Sequence, residues 1–196
     1  DPVSGKSLLR KEKVGIFPSQ HYVTSTDAIQ RAAGVIEQEM EECCARFTSE
    51  GKYLEAERLK MRTKYDLEML LEVGYCSGIE NYSRYLDGRE EGDPPGTLLD
   101  FFPQDALFFI DESHMTLPQV RGMYNGDRAR KEVLVQHGFR LPSCLDNRPL
   151  RWDEYEPALK NALFISATPG DYEFEHSDHV VEQLIRPTGI PDPEVE

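Results

Sequence analysis

The chain has 196 residues, 39% hydrophobic and 30% charged, which is typical of a globular protein with room for one or two domains. No apolar run approaches the about 18 residues of a membrane span, and the first residues lack the apolar core of a signal peptide. The net charge of −14 argues against a broad basic surface for nucleic acid, but not against DNA held in a local groove lined by a few arginines and aromatic residues.

Two helices are predicted first. Ser25 or Thr26 can cap a helix whose apolar residues recur every three or four positions, and Gly51 ends it. A second helix is predicted from about Tyr53 to Val73, which gives an antiparallel hairpin. The expected buried stripes are Ile29, Ala33, Ile36, Met40, Cys43 or Cys44 and Phe47 in the first helix, and Leu54, Met61, Tyr65, Met69 and Val73 in the second.

Strands follow a polar, turn-rich stretch at 76–103. The apolar runs "ALFFI" (106–110) and "ALFIS" (162–166) are predicted strands, with a helix from Pro118 to Gln136 that is broken near Gly126. This alternation favours parallel strands in an α/β sheet. Because the two runs are apolar at nearly every position, both faces of the strands are expected to be covered.

Two adjacent acids, Asp111 and Glu112, follow the first strand, and His114 lies two residues further on. Ligands of open α/β sheets bind beyond the carboxyl ends of the strands. Neighbouring carboxylates repel unless a positive ion is near, and Mg²⁺ on nucleotide phosphates meets that need. Asp111 can hold a water of the Mg²⁺ shell, and Glu112 can orient or deprotonate the attacking water. The alternative is a polar turn or helix cap.

The second strand ends in Ser166, Ala167 and Thr168, whose hydroxyl groups can hydrogen-bond a carboxylate or His114. A strand ending in Asp-Glu-x-His, followed about fifty residues later by one ending in Ser-Ala-Thr, resembles the pattern of superfamily-two helicases and translocases. In those proteins the first motif hydrolyses ATP, and the second couples hydrolysis to movement on nucleic acid.

Three other features allow more than one interpretation. Gly5-Lys6-Ser7 matches the end of a phosphate loop, but a turn is favoured because the first glycine is missing and Gly15 and Pro18 interrupt any following helix. His176 and His179 are expected on the surface rather than on a metal. The third feature is a group of basic residues, Arg121, Arg128, Arg130 and Lys131. These residues form either a mixed-charge helix face or a phosphate contact.

Several stretches together resemble the UvrB family, the damage-verifying subunit of the bacterial UvrABC nucleotide excision repair system. They include "IENYSR", "PPGTLLDFFP", "FFIDESH", "GFRLPSCLDNRPL" and "SATPGDYE". The resemblance implies a cytoplasmic DNA-dependent ATPase of the SOS response that uses ATP and Mg²⁺. Its implied partners are damaged duplex DNA, UvrA, which delivers it, and UvrC, the nuclease that incises.

The implied fold is α/β, a partial RecA-like sheet of the P-loop NTPase and superfamily-two helicase type, with an inserted helical hairpin domain. The chain is expected to be a piece of a longer protein, with no phosphate loop of its own, and so inactive as an ATPase alone. The implied domains are the end of the UvrA-binding insert (1–18), a strand or linker (19–24), a helical DNA-path domain (25–93), the later half of the first motor domain (94–185) and a linker to the second motor (186–196).

The resemblance also assigns roles to residues. Asp111, Glu112 and His114 match the ATP-hydrolysis motif, and Ser166, Ala167 and Thr168 match the coupling motif. The DNA-path candidates are Glu80, which resembles a residue that meets a clamping β-hairpin, Phe139 and Arg140, which resemble residues beside the bound strand, and Arg62. Two alternatives remain open, a non-enzymatic module that binds protein or DNA and another superfamily-two helicase.

Four cysteines, at positions 43, 44, 76 and 144, match neither a zinc spacing nor a disulfide framework. Reduced thiols in a cytoplasmic protein are therefore expected.

Overall fold

The computed structural model describes residues 25–185 together with Ser4, Lys6, Ser7, Lys13 and Gly189. The predictions for the stretches 1–24 and 186–196 therefore lie largely outside the described residues, as does the glycine of the phosphate-loop lookalike.

The chain divides into two compact units. The helical unit comprises Asp1–Asp93 and Lys131–Asn147, and the sheet unit comprises Pro94–Arg130 and Arg148–Glu196. Residues 131–147 are thus grouped with the helices, whereas the family resemblance predicts that all of 94–185 belongs to the motor domain. That domain assignment stays a prediction.

Helix α1 (Thr26–Ser49) forms as the sequence predicts. The hydroxyl of Ser25 accepts a hydrogen bond from the backbone N–H of Ala28, which caps the first turn. At the other end Gly51 adopts a positive φ, and backbone hydrogen bonds close the last turn. The buried face is Ile29, Ala32, Ile36, Met40, Cys43 and Phe47. The predicted stripe is confirmed except that Ala32 is buried where Ala33 was expected.

Helix α2 (Tyr53–Val73) packs on α1, but the predicted buried stripe was wrong. Leu54, Met61, Tyr65 and Val73 are exposed, and Met69 is only partly buried. The buried residues are instead Ala56, Leu59, Thr63, Asp66, Leu67 and Leu70. Two of these, Thr63 and Asp66, are polar, so counting apolar residues selected the wrong face.

Short elements complete the helical unit. A 3₁₀ turn at Ile79–Tyr82 leads into helix α3 (Ser83–Asp87), and both pack against a second 3₁₀ turn at Pro142–Asp146. An arginine network joins them, in which Arg84 donates to a carboxylate oxygen of Asp146 at 2.7 Å. These contacts explain why residues 131–147 belong with the helices.

The sheet unit contains two parallel strands, β1 (Phe108–Asp111) and β2 (Ala162–Ile165), with Asp111 paired to Ile165. The predicted parallel pairing is confirmed. The expectation that both faces are covered was wrong for the described residues, because Phe109 and Leu163 are exposed while Ile110 is buried on the opposite face. The described sheet has two strands, and the wider RecA-like sheet stays a prediction.

Helix α4 (Ser113–Gln136) begins earlier than predicted and is not broken at Gly126. Pro118 lies in its second turn, where the helix loses one backbone hydrogen bond but continues. The helix ends in a Schellman arrangement, in which the N–H groups of Gly138 and Phe139 donate to the carbonyls of Val135 and Leu134.

The remaining elements are short. Helix α5 (Trp152–Tyr155) runs into a 3₁₀ turn at Glu156–Asn161, and helix α6 (Asp171–Glu175) follows β2. Within the described part of the chain, no helix combines the length and apolar character needed to cross a membrane. All four cysteines are free thiols.

Candidate functional site

The predicted catalytic segments meet at the carboxyl edge of the two strands. His114 Nδ1 and Ser166 Oγ share a hydrogen bond of 2.7 Å, and Glu112 Oε2 lies 3.5 Å from the same imidazole nitrogen. The N–H of Thr168 donates to Ser166 Oγ at 3.0 Å. Because the strands run parallel, segments about fifty residues apart in sequence become neighbours at this edge.

Glu112 has an unusual backbone conformation. Its φ is +46°, and it is the one residue other than glycine with positive φ among the described residues. This left-handed conformation costs about 1–2 kcal/mol for a residue with a Cβ. The Glu112 side chain is 64% exposed, and its N–H donates to Asp111 Oδ1 at 3.1 Å. The turn therefore presents a carboxylate to solvent at the strand end.

A buried hydrogen bond forms a second connection at this edge. Ser113 donates its hydroxyl to Glu173 Oε1 at 2.7 Å, and Glu173 Oε2 accepts from the N–H of Gly170 at 3.1 Å. The resemblance assigned no role to Glu173. Its position three residues after Gly170, at the start of α6, is the spacing of a helix-capping acid and is the signal that was available.

The chemistry of the two acids fits part of a magnesium site. Mg²⁺ keeps several waters and binds one or two carboxylates together with nucleotide phosphates. Asp111 and Glu112 offer such carboxylates at an exposed edge. Among the described residues, no group of three or more His, Cys, Asp or Glu side chains is arranged to hold a metal. The acids therefore fit Mg²⁺ that arrives with phosphates, not a metal held by the protein alone.

Arg121, one of the cations considered for phosphate contact, packs against an aromatic cluster. Its guanidinium lies 4.3 Å from the Trp152 ring centre and 5.4 Å from that of Tyr172. The Tyr172 hydroxyl donates to Glu156 at 3.0 Å, and burial with this bond raises the pKa of Tyr172 to about 12. His176 stacks on Tyr172 with ring centres 4.0 Å apart. His176 is thus a packing residue on the surface of this cluster.

The other basic residues also contact protein groups. Arg130 pairs with Asp127 at 3.0 Å, and Lys131 donates to the carbonyl of Asn147. These contacts favour the mixed-charge helix face over a phosphate patch.

In the helical unit, Phe139 is held from two sides. Arg58 places its guanidinium 4.2 Å from the Phe139 ring centre and donates to the carbonyl of His137 at 2.7 Å. Gly138 has a φ of +67° and approaches the Glu55 backbone so closely that a Cβ would clash with it. Phe139 remains 45% exposed. Sequence reasoning missed Arg58, although it lies one helical turn from Arg62.

Arg62 and Glu80 belong to a second supported loop of the helical unit. Arg62 contacts Asp66 at 2.9 Å and donates to the Ser77 carbonyl at 2.7 Å. Tyr82 donates its hydroxyl to Asp66 at 2.8 Å, and burial together with this acid raises the pKa of Tyr82. Glu80 is exposed on the turn that these contacts fix. Arg62 thus supports the loop, and its DNA contact stays a prediction.

The candidate residues form two groups. Asp111, Glu112, His114, Ser166, Ala167 and Thr168 lie in the sheet unit, and Glu80, Arg62, Phe139 and Arg140 lie in the helical unit.

Comparison with known proteins decides the family. Residues 27–88 match the model of the UvrB third helical domain. The chain is 59% identical over 196 residues to UvrABC system protein B of Streptococcus gordonii and 60% identical over 195 residues to that of Caldanaerobacter subterraneus subsp. tengcongensis. It is 57% identical over 196 residues to the protein of Bordetella avium.

The chain belongs to the UvrB family.

The alignments cover 100% of this chain in each case but only 30%, 30% and 29% of the three relatives. The chain thus spans about 30% of the length of the curated UvrB relatives it matches. The matched helical domain contains α1, α2, α3, Arg62 and Glu80, whereas the paired acids lie outside it, within the whole-chain similarity to UvrB. The resemblance seen in the sequence is confirmed.

Proposed function

We propose that this chain supplies the ATP-hydrolysis carboxylates and part of the DNA path of a UvrB subunit in bacterial nucleotide excision repair. In this proposal the whole protein is delivered by UvrA, verifies DNA damage with ATP and loads UvrC. The observation that carries the proposal is the 2.7 Å hydrogen bond between His114 and Ser166, which joins the two helicase-like motifs at one strand edge.

The residues at the edge have complementary roles in this proposal. Bound Mg²⁺ and ATP supply the phosphate that is attacked and the charge that neutralises it. Asp111 would hold a water of the metal shell, and Glu112 would orient the attacking water and accept its proton. His114 contacts both Glu112 and Ser166. A change in the position or charge of Glu112 can therefore alter the hydrogen bond of His114 to the coupling segment at 166–168.

The helical unit contributes to the DNA path. The exposed Phe139 ring can stack on a base, and Arg140 can meet a phosphate. Glu80, exposed on its supported turn, is assigned by the family resemblance to contact the tip of the clamping hairpin. The Arg140 side chain donates to the Phe139 carbonyl at 3.0 Å.

The direct test is Glu112→Gln in the full-length protein. ATP turnover should fall by at least about a hundredfold, because the water loses its general base, while ATP binding is retained. Glu175→Gln, at an exposed acid of α6, is the matched control and should behave as wild type. Unchanged turnover in Glu112→Gln would contradict the proposal.

A second candidate function is a non-enzymatic interaction module. The sequence favours it for this chain alone, because no complete phosphate-loop pattern occurs in the 196 residues. ATP turnover of Glu112→Gln in the full-length protein separates the two, since a segment that acts only as an interaction module should leave turnover unchanged.

A further inference from the structure

The buried connection between Ser113 and Glu173 has a role of its own. We propose that Glu173 is a positioning residue, which holds the Glu112 turn through Ser113 and ties it to the loop after Thr168. The expected effect of Glu173 on ATP hydrolysis rests on the proposed function. Its expected effect on amide exchange at 112–116 and 168–172 does not.

Burial makes this connection strong. Ser113 is 0% exposed and Glu173 is 5% exposed. A buried carboxylate is tolerated only when hydrogen bonds or opposite charges replace the lost water. Within the described residues, Glu173 accepts hydrogen bonds from the Ser113 hydroxyl at 2.7 Å and from the Gly170 N–H at 3.1 Å, one at each carboxylate oxygen. The Ser113–Glu173 bond thus joins two residues 60 positions apart in sequence.

The bridge meets the backbone where it is strained. Ser113 directly follows Glu112, whose φ of +46° persists only if the surrounding structure holds it. Anchoring the next side chain in the interior restricts how the Glu112 turn can relax. Glu173 therefore helps to keep the Glu112 carboxylate at the strand edge without touching a substrate.

The two connections at this edge differ in exposure. The His114 side chain is 25% exposed and also lies near Glu112, so its bond to Ser166 can rearrange as the site changes. The Ser113–Glu173 bond is closed to solvent. The inference is that Glu173 forms a fixed connection, beside the adjustable contact between His114 and Ser166.

Hydrogen exchange of the full-length protein without nucleotide tests the structural part. In Glu173→Ala, the amides of 112–116 and 168–172 should both exchange faster, while α1 and α2 keep their wild-type rates. Ser113→Ala should produce the same paired change from the other side. Glu175→Ala, two residues from Glu173 but exposed, is the control and should change neither segment.

The proposal is overturned if Glu173→Ala loosens only 168–172, because Glu173 would then be a simple helix cap. Should Glu173→Ala fail to fold, Ser113→Ala decides the question, since it removes one hydroxyl. Faster exchange at 168–172 in that variant supports the bridge, and wild-type exchange there refutes it.

Steady-state kinetics test the functional part. Glu173→Ala removes both carboxylate oxygens, so DNA-stimulated kcat should fall about tenfold with KM for ATP nearly unchanged. Unaltered kcat would refute the positioning role. A fall in kcat together with an equally large rise in KM would also refute the positioning role, because it would indicate a general structural defect. A wild-type protein with no DNA-stimulated turnover would instead refute the proposed function and leave the exchange result to stand.

Discussion

Glu112 and Glu154 show two uses of the same side chain. Glu112 projects into solvent beside Asp111 and has no arginine partner among the described contacts. Glu154 accepts two hydrogen bonds from the Arg148 guanidinium, at 2.7 and 2.8 Å. These hydrogen bonds outweigh partial burial and lower the pKa of Glu154 to about 2. One acid is available for chemistry, and the other is committed to holding the structure.

Glu154 gives a pH prediction. Its folded pKa of about 2 lies below the ordinary value of 4.5, so its stabilising effect is complete above pH 4.5 and is lost as pH falls towards 2. Glu154→Gln should therefore lower the unfolding free energy at pH 7 and flatten its fall between pH 4.5 and 2. Denaturant unfolding across that range measures both effects. A variant curve parallel to that of wild type would contradict the assignment.

Cysteine reactivity follows from burial. Desolvation raises the pKa of Cys76 to about 12 and that of Cys43 to about 11. Both side chains are buried, whereas Cys44 is only partly so. Because the thiolate is the reactive form, Cys44 should react first with a disulfide reagent at pH 8, and Cys43 and Cys76 only on unfolding. Mass spectrometry of the labelled protein locates the sites, and equal labelling rates would disprove the ranking.

At the scale of single elements, α2 shows where sequence reasoning succeeds and fails. The helix itself was predicted because Gly74 and the turn at Gly51 mark its limits. Its buried face was not, since Thr63 and Asp66 occupy core positions that an apolar pattern cannot identify. Arg62 and Tyr82 both donate to Asp66 Oδ2, and those contacts require the tertiary structure.

The corrected face of α2 predicts unequal responses to truncation. Leu59 is fully buried, so Leu59→Ala should lower the unfolding free energy by about 2–4 kcal/mol. Leu54 is exposed, so Leu54→Ala should change it by less than about 0.5 kcal/mol. Denaturant unfolding of the two variants provides the comparison. A larger loss of unfolding free energy in Leu54→Ala than in Leu59→Ala would instead support the buried face predicted from the sequence pattern.

The candidate site divides in a similar way. The pairing of β1 and β2 was predictable because both apolar runs end in polar motifs at corresponding positions. The Ser113–Glu173 bond and the Arg58 contact with the carbonyl of His137 join residues 60 and 79 positions apart. No local pattern specifies such contacts, because they depend on how loops return to the elements they leave.

At the scale of the whole molecule, the helical unit depends on residues that return late in the chain. Asp146 accepts from Arg84 at 2.7 Å through one oxygen and from the Gly92 N–H at 3.1 Å through the other. Glu39 on α1 accepts from the N–H of Ser143 at 2.8 Å. These bonds attach the 131–147 segment to the helices.

Asp146 is therefore predicted to stabilise the helical unit selectively. Asp146→Ala leaves the largely buried Arg84 without its closest carboxylate and should cost about 3 kcal/mol. Hydrogen exchange should accelerate at 83–93 and 142–147 but not in β1 or β2. Glu41→Ala, an exposed acid on α1, is the control. Equal acceleration in the strands would show that the two units unfold as one.

The backbone at Glu112 has an evolutionary consequence. Glycine and asparagine adopt positive φ more readily than glutamate, so either would relieve strain at position 112 while removing the carboxylate. A library of variants selected only for heat resistance should drift towards Gly or Asn there. Under the proposed function, selection for nucleotide excision repair should restore Glu, so the residue found at this position would show whether stability or ATP hydrolysis had been selected.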